Sequence, residues 1–114
     1  MELKIVETKD ISKEDILALI KSQEGSLTQS PTKLYTNLLN SYSLITAWDD
    51  DELVGLGNIV IEDAQEVYYP YLLVLPDYRN LDIEQMIMQK LKNKYADYLK
   101  EKQLEKKEEN VARV

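Results

Sequence analysis

Twenty-one carboxylates and eight tyrosines are the side chains best placed for chemistry in this 114-residue chain, because it has no histidine and no cysteine. Their absence removes disulfides, nitrogen- or sulfur-ligated zinc, thiol nucleophiles and any Ser-His-Asp or Cys-His arrangement. Seven acids (Asp49, Asp50, Asp51, Glu52, Glu62, Asp63 and Glu66) fall in one stretch without a Lys or Arg, matching the net charge of −7. Such a stretch suits a basic partner or a loosely held Ca²⁺, or it is simply two solvated turns; EF-hand spacing is absent and no metal is expected. Tyr68, Tyr69, Tyr71 and Tyr78 form a second cluster. They either line a pocket or pack as strand-forming aromatics with wet hydroxyls in a chain without phenylalanine. Trp48 reads as a packing residue at a strand end.

The elements that must position these residues follow from periodicity. Leu3 to Thr8 reads as a strand. Ser12, with Asp15 three residues on, caps a helix carrying Ile16, Leu17, Leu19 and Ile20 up to Gly25. After a polar loop from Ser22 to Pro31, Ser30 offers a cap for a second helix from Thr32 to Asn40 with Leu34, Leu38 and Leu39 on one side. Ser43 to Trp48 and Glu52 to Ile61 read as a hairpin about Asp49-Asp50-Asp51. A further strand, Glu66 to Leu75, is entered through Glu62-Asp63-Ala64-Gln65 and ends at Pro76. Ile83, Met86, Ile87, Leu91, Tyr95, Tyr98 and Leu99 then trace the apolar stripe of the longest helix. Residues 100–114 are a Lys/Glu-rich tail with like-charge pairs such as Lys102 with Lys106 and Glu105 with Glu109, expected to fray in part. The chain is expected to be a single domain over residues 1–114, in the order β-α-α-β-β-β-α.

The acidic balance is the wrong sign for holding nucleic acid or anionic lipid. No apolar run approaches a membrane span, and the charged segment Met1 to Asp10 does not resemble a signal peptide, so the expected address is cytoplasmic.

The element order, with Leu73-Val74-Leu75-Pro76-Asp77-Tyr78-Arg79-Asn80 and the upstream Ala47-Trp48-Asp49-Asp50-Asp51-Glu52-Leu53-Val54-Gly55, resembles the GNAT superfamily of N-acetyltransferases. The resemblance implies an α+β fold with a mixed or antiparallel four-stranded sheet over about residues 3 to 99, lacking the family's C-terminal half. It implies acetyl-CoA as cofactor and acyl transfer to an amine. The family seats the cofactor's diphosphate on backbone N–H groups at a helix start, in an Arg/Gln-x-x-Gly-x-Gly/Ala loop. In this sequence those positions are Arg79, Asn80, Leu81, Asp82, Ile83 and Glu84, preceded by the strand residues Leu73 and Val74. These eight are the candidate cofactor-binding residues.

Both glycine positions carry acids, which repel a diphosphate. The same residues also suit a self-capped helix, with Asp82 as N-cap, Gln85 completing a capping box and Glu84 in the first turn. No residue matches the family's thiolate-protonating tyrosine, so the catalytic residues are unknown; Tyr69 and Tyr71 stand where a carboxylate base is sometimes found. Two functions remain open: an acetyltransferase with a weakened or lost cofactor site, and a non-catalytic interaction module on the same fold. If no strand covers Tyr68 to Leu75, that edge is expected to pair in a homodimer, the alternative being a monomer whose own tail folds back.

Overall fold

The structure, a computed structural model, describes residues 2–23, 30–63, 66–79 and 81–112, and the side chains of these apart from residues 63 and 104–112. The elements are β1 (Leu3–Glu7), α1 (Lys13–Lys21), α2 (Pro31–Leu39), β2 (Ser43–Asp49), β3 (Glu52–Asp63), β4 (Glu66–Tyr68), β5 (Leu72–Val74), a short 3₁₀ turn (Pro76–Tyr78) and α3 (Ile83–Ala112).

Both short helices start as the sequence predicts. The Ser12 hydroxyl accepts from the Asp15 N–H and the Ser30 hydroxyl from the Lys33 N–H, each satisfying an amide that the first helical turn leaves free. Pro31 occupies the first turn of α2, where its missing N–H costs nothing.

Among the described residues the sheet is antiparallel throughout and has five strands, not four. The expected strand from Glu66 to Leu75 is divided, and both pieces pair with β3: Tyr68 lies opposite Val60 and Leu72 opposite Gly57. Four steps on one strand against three on the other leave one extra residue, a β-bulge at Tyr69 to Tyr71. Pro70, which cannot donate to a ladder, sits inside that bulge. Asn58 closes it: its N–H donates to the Tyr71 carbonyl (3.2 Å) and its side-chain oxygen accepts the Tyr71 N–H (3.0 Å).

The helices cover both faces of the sheet. On one side α1 and α2 pack Ile16, Leu19, Leu34 and Leu38 against Leu44, Leu56 and Leu73. On the other, α3 packs Ile83, Ile87 and Leu91 against Ile45, Ala47, Val54, Ile59 and Val74. Gly57 lets α3 come close, since a Cβ there would lie 2.7 Å from Ile87 Cγ2. Met86, placed on the apolar stripe by periodicity, is instead 40% exposed at the side of α3. The backbone of residues 100–112 continues α3. Most of the polar loop from Ser22 to Pro31, Ala64 and Gln65 of the expected turn, and the like-charge side-chain pairs of the tail lie outside the described residues.

Candidate functional site

The loop between β5 and α3 brings most of the sequence-derived candidates together at one end of the helix, but it does not point them one way. Leu73 and Val74 project to opposite faces of the sheet, Leu73 into the α1/α2 core and Val74 into the α3 core, and Ile83 is fully buried. These three anchor the loop through packing. Leu81, Asp82 and Glu84 are exposed; Asn80 lies outside the described residues.

Arg79 turns back from the helix start. Its Nε donates to the Val74 carbonyl (3.3 Å) and its Nη2 to Gln23 Oε1 (3.1 Å). Gln23, buried just past the end of α1, also donates to the Val74 carbonyl (3.1 Å). Leu75 N–H bonds to the Val54 carbonyl across the ladder, so by antiparallel alternation Val74 faces the open edge of β5. Arg79 and Gln23 therefore seal that edge acceptor. Gln23 is the residue that sequence reasoning missed: it is 56 positions from Arg79 and belongs to no motif.

Asp82 adopts φ +58°, the left-handed conformation that glycine takes at least cost. Its carbonyl accepts the Met86 N–H (3.1 Å), starting the helix, but among the described residues its carboxylate caps nothing and Gln85 makes no reciprocal bond. The expected capping box does not form, because a capping residue takes an extended conformation that aims its side chain at the following amides. Among the described residues no side chain accepts from the first amides of α3, the arrangement an anion site uses.

Beside this helix start, on the β5 side, a groove of about 370 Å³ is lined by Leu72, Glu84, Gln85, Met88, Gln89 and Lys92. The tyrosines do not share a pocket. Tyr69 packs on the α3 side, where burial raises its pKa, Tyr71 packs on the α1/α2 side, and Tyr68 is 48% exposed. The Tyr78 hydroxyl donates to Asp49 Oδ2 (2.7 Å); that bond, then burial, pushes its pKa up to about 12. This ties the loop to the acidic turn of the β2–β3 hairpin. Among the described residues no group of three acids is arranged to hold a metal ion, and no helix is long and apolar enough to cross a membrane.

For a diphosphate, the loop fits in backbone and not in side chains. The helix dipole, the open amides and the left-handed turn are in place. Asp82 and Glu84 stand as exposed acids at the same helix start, while Arg79 is engaged elsewhere.

Solved structures share this fold. A GNAT-family acetyltransferase protein from Streptococcus pneumoniae TIGR4 is 27% identical with a TM-score of 0.67, over 78% of this chain and 64% of that one. A probable acetyltransferase from meticillin-resistant Staphylococcus aureus is 23% identical with a TM-score of 0.67, over 82% and 71%. An aminoglycoside 6'-N-acetyltransferase solved with coenzyme A is 19% identical with a TM-score of 0.72, over 82% and 56%. The last two likenesses are of fold alone, and the chain spans less than two thirds of the first and third proteins. No curated protein matches the sequence. The model of the acetyltransferase (GNAT) family matches residues 13–113, and on that match, carried through the strand, turn and helix just described, the chain belongs to the GNAT family.

Proposed function

We propose that this chain is a GNAT-fold protein whose acetyl-CoA site is weakened, so that acyl transfer to an amine, the chemistry of its family, is slow at ordinary cofactor levels. One observation carries the reading: the two residues at the family's glycine positions, Asp82 and Glu84, are exposed acids at the start of α3, and the loop's arginine is turned away onto Gln23 and the Val74 carbonyl. Two unit charges at about 4 Å repel by ~4 kcal/mol at an effective dielectric near ~20. Halved for solvent and salt, ~2 kcal/mol still costs more than a tenfold loss in affinity. The sealed edge acceptor at Val74 adds to the obstacle, because a ligand lying along β5 must first displace two donors.

The same observation favours a second reading from another class, a non-catalytic interaction module that keeps the fold and works through its surfaces. The net charge argues for protein partners rather than nucleic acid or membrane in either case.

Calorimetry with coenzyme A tests the proposal. The chain itself should bind with Kd near or above ~1 mM, and Asp82→Asn with Glu84→Gln, which removes both charges and keeps both shapes, should bind at least tenfold tighter. Tight binding by the unaltered chain, or equal affinity in the two proteins, contradicts the charge argument. A neutralised protein that still gives no heat leaves the module as the better reading.

A further inference from the structure

On the opposite flank of α3 from the cofactor loop's groove, a second groove of about 500 Å³ runs along the outer edge of β1, lined by Ile5 from the strand and by Asp82, Gln85, Met86, Gln89 and Lys90 from the helix end. The edge beneath it is open. Thr8 N–H donates to the Leu44 carbonyl and Asp50 N–H to the Glu2 carbonyl, so the even-numbered residues of this strand turn their backbone toward β2. Antiparallel alternation then turns the N–H and C=O groups of Leu3, Ile5 and Glu7 outward, where no strand pairs with them among the described residues. Beside this continuous five-residue edge, the Tyr68 to Leu75 edge on which self-association was expected is the poorer template: two three-residue strands parted at Pro70, with the Val74 carbonyl already taken.

We propose that a second copy of this chain docks here, its β1 pairing antiparallel with the first about a two-fold axis at Ile5, and Asp82 of each copy meeting Lys90 of the other. Outward-facing residues pair only with outward-facing residues, which allows this register and sets Leu3 opposite Glu7 and Lys4 opposite Val6, so no like charges directly face each other. A two-fold axis normal to the sheet keeps both α3 helices on one face. The groove sets Met86 beside Ile5, and Asp82 and Lys90 lie one helical turn to either side of Met86. Rotation about an axis passing there exchanges the two ends, so acid meets base twice, with the exposed Met86 side chains filling the centre. Neither the Asp82 carboxylate nor the Lys90 ammonium has a hydrogen bond or ion pair among the described residues. This self-complementarity argues for a second copy rather than an unrelated peptide, and it requires no cofactor.

Sedimentation of the full chain from about 10 μM to about 1 mM should give a monomer–dimer equilibrium. Lys90→Asp should weaken it at least tenfold, and Lys90→Asp with Asp82→Lys should restore it, circular dichroism showing each variant folded. Because the chain has no cysteine, Ile5→Cys reports the axis directly. Two such residues in a hydrogen-bonded antiparallel pair have Cα atoms about 5.5 Å apart, within disulfide range, so mild oxidation should give a covalent dimer. Tyr68→Cys should not. A monomer at every concentration, a dimer indifferent to Lys90→Asp, or cross-linking through position 68 and not 5 overturns the proposal.

Discussion

Asp82 holds a backbone conformation that costs an ordinary L-residue about 1–2 kcal/mol, and short polar side chains rather less. The structure keeps it because the turn from Leu81 into α3 requires a left-handed residue there, with the Asp82 carbonyl accepting the helix's first bond. Asp82→Gly should therefore leave stability within about 0.5 kcal/mol of the parent, relief of strain offsetting the lost carboxylate at the helix dipole. Asp82→Val, β-branched at positive φ, should lose about 1–2 kcal/mol in urea unfolding, and equal midpoints for Val and Gly would show that the turn relaxes to an extended form. The acids at both glycine positions were legible in the sequence, since residue type is all that reading needs. The direction of Arg79 was not, because its side chain is set by Gln23, a residue brought near only by the tertiary fold.

Strands and helices were easier to read than side-chain directions, and the places where the reading slipped share a cause. The starts of α1 and α2 follow from Ser12 and Ser30, whose hydroxyls act on amides three residues away, so local sequence suffices. The division of β4 from β5 depends on register against β3, and Pro70 announces a bulge only once its neighbours are known to pair with one strand. Gly57 belongs to the same class of long-range demand. A Cβ there would meet Ile87 Cγ2 at 2.7 Å and Leu91 Cδ1 at 3.1 Å, whereas at Gly55 the nearest contact is Ile87 Cδ1 at 3.2 Å, the mobile end of that side chain. Gly57→Ala should push α3 off the sheet and cost about 2 kcal/mol, the overpacking penalty of a filled core. Gly55→Ala should cost about half that, and chemical denaturation of the pair checks the order.

Across the whole molecule, β1 and α3 are joined by a charge contact that makes stability depend on pH. Glu7 accepts a hydrogen bond from the Ser43 hydroxyl and pairs with Lys94 Nζ at 3.2 Å, while that ammonium also lies over the Tyr42 ring. The Ser43 hydrogen bond first, and then Lys94, hold the Glu7 carboxyl below its ordinary value of 4.5, despite some opposing burial. A carboxylate whose pKa is lowered by folding binds fewer protons folded than unfolded. Its contribution is complete above pH 4.5 and is lost as the pH falls through the lowered value. Because the pair is partly exposed, that contribution is about 0.5 kcal/mol after solvent screening. Tyr78 acts at the other extreme: its pKa, raised from 10.0 to about 12 by Asp49, leaves the unfolded chain the first to ionise, so stability falls across that interval. Glu7→Gln removes the acid-side term and leaves the alkaline one. Urea unfolding from pH 7 to pH 3 should therefore show a shallower acid-side decline for Glu7→Gln than for the parent, the two differing less in 0.5 M salt as screening weakens the Lys94 pair. Parallel curves at low salt would mean that Glu7 titrates alike folded and unfolded, and that β1 is held to the molecule by its ladder to β2 and by Ile5 and Leu3 on the α3 core alone.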